Sequence, residues 1–427
     1  MVIKKSVLIQ YLLITVMFFS TGSSLFNFFL TGNVKYYLII GAFVLLLLLY
    51  KKYRSLYSVT LIMILLFATI ITRLLNGGAG IVSFLRLVSG IVTTSMAICC
   101  DKKNFLTRWV KLVEFFSFIS LCFWVLFLFF PGLVDIWPAQ SYVTQTFGFG
   151  DWERIVHGKG LLLYSYMEIH STRNCGIFYE PGVHQVVLTI TLFVLLFWKN
   201  KLSFNKESDY KRSLIIIIAA LISSQSTTGY ISLALILLFF YIFERGKTKS
   251  NIRTIIVTVT IIIVMGLFVD NAIRGNESIL YSQIIKKLFS SQSGSFDFSD
   301  GTGQYRWGTI IVSLDVISKN PFGIGADALA VQKLAYGDGL VAASFFAFAA
   351  VYGIIPWLAV LAMLFTPLFL YERKWIAVLY VFLFINTTLG QSELIYAAFF
   401  MIPMFLVVTR NIKERSINEK HADYIQG

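Results

Sequence analysis

Charged side chains are scarce in this sequence, at 14% of 427 residues, where a soluble domain carries about 25%. Histidine and cysteine are rarer still, four of each. Three of the cysteines fall in or at the end of hydrophobic runs, so no disulfide framework is implied. No metal-ligand motif, Walker loop, nucleophile elbow or dinucleotide fingerprint occurs, so no metal site, nucleotide fold or soluble catalytic domain is expected. There is no internal repeat, Pro-rich tract or second domain. The chain reads as a single unit over 1–427.

What is present in excess is apolar surface. Hydrophobic residues reach 57%, above the roughly 45–50% of soluble domains. They are gathered into nearly charge-free runs. Runs near 20 residues match a hydrocarbon core of about 30 Å. Only helices or closed barrels satisfy the backbone in lipid. Because the runs are continuous and do not alternate, helices are expected. The first run is too long for a signal-peptide core and lacks a clean cleavage site, so it is kept as a span.

The expected fold is an all-α integral membrane protein of about 12 transmembrane helices. The spans are 7–25, 36–50, 58–72, 81–99, 112–130, 183–197, 214–223, 230–243, 254–269, 340–368, 375–384 and 395–408. With the N-terminus inside, two thirds of the 36 Lys and Arg residues fall in inner segments, and the short outer loops hold only Lys35 and Arg73. This positive-inside bias places both termini in the cytoplasm, with a cytoplasmic tail over about 410–427. It also accounts for the net charge of +14 without nucleic acid. Two long segments, about 131–182 and 270–339, then face outward, and long loops of this kind are usually functional. Residues 214–243 and 375–408 each read as two short helices around a polar tip (Ser223–Gly229 and Asn386–Glu393). Polar backbone at that depth needs protein or a water-filled cavity around it, and a cavity open to the outside is expected.

Three places can carry chemistry. The first outer loop ends in Arg173-Asn174-Cys175-Gly176-Ile177-Phe178-Tyr179-Glu180-Pro181-Gly182. An Arg fork binds phosphate oxygens bidentately, and Glu180 can act as a general base; an interfacial anchor with an Arg–Glu ion pair fits equally. The second loop holds Gly303-Gln304-Tyr305-Arg306-Trp307-Gly308, then a helix-like stretch over 310–317, then Asn320-Pro321-Phe322-Gly323-Ile324-Gly325. Arg306 beside Trp307 suits an anion near a sugar-stacking ring, or is one more exposed cation. Arg86 lies five residues into a span, where an Arg is a functional candidate by default, yet shallow enough to snorkel.

These stretches resemble the O-antigen polymerase and ligase superfamily of bacterial envelopes. Arg173-x-x-Gly176-x-x-x-Glu180-Pro181 before a helix carries the likeness, with the Ser-rich segment 223–229 and Gly303-x-x-Arg306-Trp307 followed by Asn320–Gly325. Ligases of the superfamily carry a His late in the second loop. Here Val341-Ala342-Ala343-Ser344 stands there and the loop has no His, which favours polymerase. The Arg-to-Gly spacing of some polymerases is not kept.

The resemblance implies a membrane glycosyltransferase of the bacterial inner membrane that needs no cofactor. Its substrate would be an undecaprenyl-diphosphate-linked oligosaccharide, polymerised into O-antigen or capsular polysaccharide at the outer face of the membrane. Arg173, Arg306 and Glu180 are the expected catalytic residues; Arg86, Tyr179, Trp307, Ser226 and Glu393 the expected substrate-binding ones. Besides the bilayer, the expected partners are a chain-length regulator and a flippase. The competing functions are an O-antigen ligase and a lipid-linked glycan flippase. A flippase usually has short loops and deep charges, which this sequence does not.

Overall fold

The computed structural model describes residues 5–19, 39, 41, 55–77, 81–136, 139–146, 153–159, 163–244, 269, 272–275, 278, 301–336, 343–391 and 399–410. The chain is mostly helical there. In order come α1 (Lys5–Phe19), α2 (Leu56–Asn76), α3 (Ile81–Cys100) and α4 (Phe105–Phe129). Strands β1 (Ala139–Thr146), β2 (Glu153–Lys159) and β3 (Tyr166–Met167) follow. Then come α5 (Pro181–Phe197), α6 (Glu207–Ser223), α7 (Thr227–Phe243), α8 (Gly301–Lys319), α9 (Ala326–Tyr336), α10 (Ser344–Tyr352), α11 (Ile354–Tyr371) and α12 (Lys374–Gly390). A last helix, α13, runs over Phe399–Arg410.

Three of these, α2, α4 and α11, are long and apolar enough to cross a membrane. The count of about 12 spans therefore stands as an expectation. The second and ninth expected spans lie almost wholly outside the described residues, as does the tail beyond Arg410. Exposed apolar side chains ring α2 and α4, among them Leu56, Phe67, Leu74, Phe118 and Phe129. In water such a surface would aggregate; in a bilayer it is the lipid face.

Helix α5 is the opposite case. Every residue from Pro181 to Leu196 is buried. Helices α4, α6, α7 and α12 pack around it, so a helix apolar on all sides becomes the axis of the core. Its Thr191 hydroxyl takes the Trp109 indole N–H at 2.9 Å.

Ion pairs gather at one end of this bundle. Lys201 pairs with Glu372, Arg373 with Glu244 at 2.6 Å, Arg212 with Glu114 at 2.6 Å and Lys199 with Glu207 at 2.7 Å. These join the α5–α6 connection, the end of α7 and the α11–α12 turn, and tie the first turns of α6 to α4; their basic residues all fall in segments counted as inner by charge.

Three features depart from the expectations. The first outer loop is not free of strands: β1 and β2 form an antiparallel hairpin with Ala139 opposite Lys159 and Thr146 opposite Glu153, and β3 adds to β2. Its base is anchored on α4 by rings, with Phe123 stacked on Tyr164 at 5.7 Å between centroids. The span 340–368 is two helices, α10 and α11, broken at Gly353, whose φ of +94° and ψ of 162° suit glycine alone. And 301–308 is the first turns of α8, where a loop was expected.

The stretch Asn320–Gly325 does make the special turns expected of it. Gly323 and Gly325 have φ of +80° and +85°. The segment is strapped to the α10–α11 break: Ile324 N–H donates to Ala350 O (2.9 Å), Gly325 N–H to Val351 O (3.1 Å) and Ile354 N–H to Pro321 O (2.9 Å). A Cβ on Gly323 would stand 2.6 Å from Gly353 N, and one on Gly353 2.9 Å from the Phe322 carbonyl carbon. Thr72 of α2 reaches in to Phe322 O at 3.1 Å. Two glycines lock two backbones here because no side chain fits between them.

Candidate functional site

The end of the first outer loop lands on the turn between α6 and α7. Pro181 opens α5 with its φ pre-set and no N–H to satisfy. Just before it, Asn174 acts as a hub. Its N–H donates to Ser223 O at 3.0 Å. Its amide donates to Ser223 Oγ (2.9 Å) and Ser120 Oγ (3.2 Å), and its Oδ1 accepts from Gly176 N–H at 2.9 Å. The last of these is an Asx turn. Gly176, at φ +61°, then passes the His184 ring so closely that a Cβ would stand 2.7 Å from Nε2. His184 Nδ1 lies 3.3 Å from Asn174 O, a contact that needs the proton on Nδ1.

Arg173 is placed by the same zipper. Its Nε–H donates to Ser224 O at 3.3 Å, one residue on from the Asn174 partner. Burial draws its pKa below the usual arginine range, and the neighbouring Cys175, Glu180 and Tyr230 oppose that shift. Arginine stays cationic regardless. The carboxylate of Glu180, half-buried at the N-cap of α5, thus acts on the guanidinium. Cys175 is fully buried and its thiol is pushed up to about 12 by that burial, so it is a packed thiol and not a nucleophile.

The turn itself is held by polar groups. Gln225 adopts a left-handed backbone, φ +47°, and its amide donates to Thr172 O at 3.2 Å. The Trp124 indole donates to the same carbonyl at 2.9 Å. Ser226 caps α7, its hydroxyl oxygen accepting from Gly229 N–H. The Tyr230 hydroxyl donates to Ile222 O at 3.0 Å.

Among the described residues, the cavity expected around the two polar tips is not what surrounds them; Ser392 and Glu393 of the second tip lie outside those residues. Ser223, Ser224, Ser226 and Thr228 are all buried, covered by the loop end and by α5. The Ser223 and Ser224 carbonyls are met by Asn174 and Arg173, that of Ser226 by Tyr230 N–H and that of Thr228 by the Asn386 amide, so protein and not water satisfies them. The second tip is helical through Gly390, with Thr387 and Thr388 fully buried.

The sequence candidates therefore divide. Arg173 and Glu180 meet at this junction. Tyr179 stands beside them but packs on Met167 and Cys175, and Ser226 has a capping role. Trp307 is on α8, 52% exposed; α8 packs mainly on α9 and α10. The side chain of Arg306 and all of Glu393 lie outside the described residues. Arg86 is half-buried on α3, whose main neighbours are α1 and α2. The sequence reading missed Asn174, His184, Ser120 and Tyr230. For Asn174 a signal existed, since Asn two residues before Gly in a loop favours an Asx turn.

Residues 213–341 match the family model described as O-antigen ligase. The match is under a third of the chain. It takes in the α6–α7 turn and the Gly303–Gly325 stretch, and ends after the start of the expected span at 340. It supports the likeness to the O-antigen ligase and polymerase superfamily. No curated protein and no solved structure matches the chain.

Proposed function

We propose that this chain is a membrane glycosyltransferase that polymerises undecaprenyl-diphosphate-linked oligosaccharide repeat units at the outer face of the inner membrane. The observation that carries this reading is Arg173 held on the α6–α7 turn within the field of Glu180 at the start of α5, at the end of the bundle away from the inner ion pairs. A lipid-linked diphosphate needs a cation at the membrane surface, and Arg173 is a fork held there by its neighbours. A growing glycan on one lipid is attacked by a hydroxyl of an incoming unit on another. The anomeric C–O bond to diphosphate breaks, and the hydroxyl proton leaves to a base, for which Glu180 is the candidate. Stabilising the departing charge and orienting the acceptor are the tasks such a site performs. Arg306 and Trp307 are kept in this reading as further diphosphate and sugar contacts from α8.

A ligase, which moves a finished glycan to another acceptor, is the second reading, favoured by the description of the family that matches residues 213–341. Deleting the protein from its host separates the readings. One repeat unit on the final acceptor supports the polymerase; polymer left on the lipid carrier supports the ligase; absence of surface glycan points to a flippase and overturns both.

A further inference from the structure

Beside the Arg173 junction three helices meet through glycines. Gly182 of α5, Gly229 of α7 and Gly390 of α12 face one another's neighbours without a side chain between. A Cβ on Gly182 would fall on the Gln391 amide, one on Gly390 on the Thr228 hydroxyl, and one on Gly229 would stand 3.1 Å from Gln185 Cβ. The start of α10 joins them, Ser344 N–H donating to Gln391 O at 3.1 Å and its hydroxyl to Thr388 O at 3.2 Å. So three helix N-termini, of α5, α7 and α10, converge on the C-terminus of α12.

Most polar groups in this joint are paired. The Asn386 amide donates to Thr228 O (3.0 Å) and Ser232 Oγ (2.9 Å), and Thr189 donates to Gln185 Oε1 at 3.2 Å. Three are not. Among the described residues, Gln185 Nε2, Thr387 Oγ1 and Gln391 Oε1 meet no hydrogen-bond partner, although their residues are at most 3% exposed. They are three of the eight such atoms among the described residues, and they stand on facing helices in one place. An unpaired buried amide is destabilising, and an apolar residue of like shape is not. Keeping three together is a departure that folding does not explain. The two non-glycine residues with left-handed backbone among the described residues, Gln225 and Ala343, flank the same joint. Such backbones collect at functional sites.

We infer that Gln185, Thr387 and Gln391 form a recognition site for the hydroxyls of a neutral sugar ring of the lipid-linked glycan. This rests on the functional reading above and adds to it a second, uncharged half. Amides and a hydroxyl offer both donors and acceptors without charge, which matches ring hydroxyls and not a diphosphate. Gln185 lies five residues after Glu180 on the same helix, so a ring held here sits next to Arg173.

Three apolar replacements test this, Gln185→Met, Thr387→Val and Gln391→Met, each removing hydrogen bonding at nearly constant volume. Wild-type and variant proteins in liposomes are titrated with lipid-linked repeat units extracted from a strain lacking the protein. The expected result is a KM raised about ten-fold for each lost hydrogen bond, with thermal stability equal to wild type or higher in Thr387→Val and Gln391→Met; Gln185→Met also takes the acceptor from Thr189, so only its KM is read. A purely structural role predicts the reverse, lowered stability with KM unchanged. KM within two-fold of wild type in every variant that folds overturns the proposal. If one variant fails to accumulate, those on the other helix carry the test. If wild type itself elongates nothing, the functional reading falls, and this proposal with it.

Discussion

Two glycine-bearing segments, Arg173–Gly182 and Asn320–Gly325, look alike in the sequence and differ in the structure. Each precedes or follows a helix, and each mixes turn formers with polar residues. In Asn320–Gly325 the backbone is consumed: its N–H and C=O groups are spent on the α10–α11 break, and its glycines are needed because another backbone occupies the Cβ position. In Arg173–Gly182 side chains share the contacts with the backbone, and the Arg173 guanidinium is left within the field of the Glu180 carboxylate at the start of α5. A loose motif can thus mark a clasp or a site, and what separates them is whether the segment's own side chains take part in the contacts.

The comparison breaks most severely at the clasp. Gly353→Val forces a branched residue into a glycine-only backbone against Phe322, a cost of about 3 kcal/mol or more. Little protein should reach the membrane on immunoblot, whereas Gly132→Ala, with open space around its Cβ position, should accumulate as wild type. Normal abundance of the Gly353 variant would reduce the clasp to a passive turn.

At the site the expected losses are smaller and of two kinds. Asn174→Ala takes the acceptor from Gly176 N–H, worth about 1–3 kcal/mol when left unpaired in the interior, and a donor from Ser223 Oγ, which keeps its own bond to Ala220 O. Unfolding of the purified protein should shift to lower temperature, and polymer length should fall with it. An unchanged melting temperature would mean that Asn174 is not the hub.

Cys175 adds a pH signature. Its folded pKa of about 12 lies above the ordinary 9.0, so the folded state binds the proton more tightly than the unfolded one. Its contribution to stability is complete below pH 9 and is lost as pH rises from 9 towards 12. Cys175→Ala should flatten the decline of stability in that window, as read from chemical denaturation across pH. A decline of the same slope in the variant would assign the effect elsewhere.

The smallest effect concerns the buried tips. A cysteine replacing the fully buried Thr388 should resist membrane-impermeant thiol reagents, and one replacing the exposed Thr172 should react from outside. Labelling at 388 as fast as at 172 would restore the open cavity that the sequence suggested.

Much of the helix map was legible. The runs at 58–72, 81–99 and 183–197 became α2, α3 and α5 with ends moved by a few residues, because lipid leaves long apolar runs little choice but helix. The break at Gly353 was not legible, since its cause is Phe322, far away in the chain. The strands of the first outer loop were missed because their composition is mixed and short. Arg173 and Glu180 could be picked out as charges ahead of a helix-opening proline. Gln185, Thr387 and Gln391 could not: neutral polar residues inside apolar runs gain meaning only when three helices bring them together.

The central claim is that Arg173 is a cation held for a lipid-linked diphosphate. The most direct test is the surface-glycan ladder of a deletion strain complemented with Arg173→Ala or Arg173→Lys, at matched protein abundance. Loss of a charge-assisted hydrogen bond is worth about 1.5–3 kcal/mol, or on the order of 10- to 100-fold in rate. The account predicts mostly single-repeat product for Ala and short chains for Lys, because a point charge does not reproduce the fork. A full-length ladder from Arg173→Ala would contradict it.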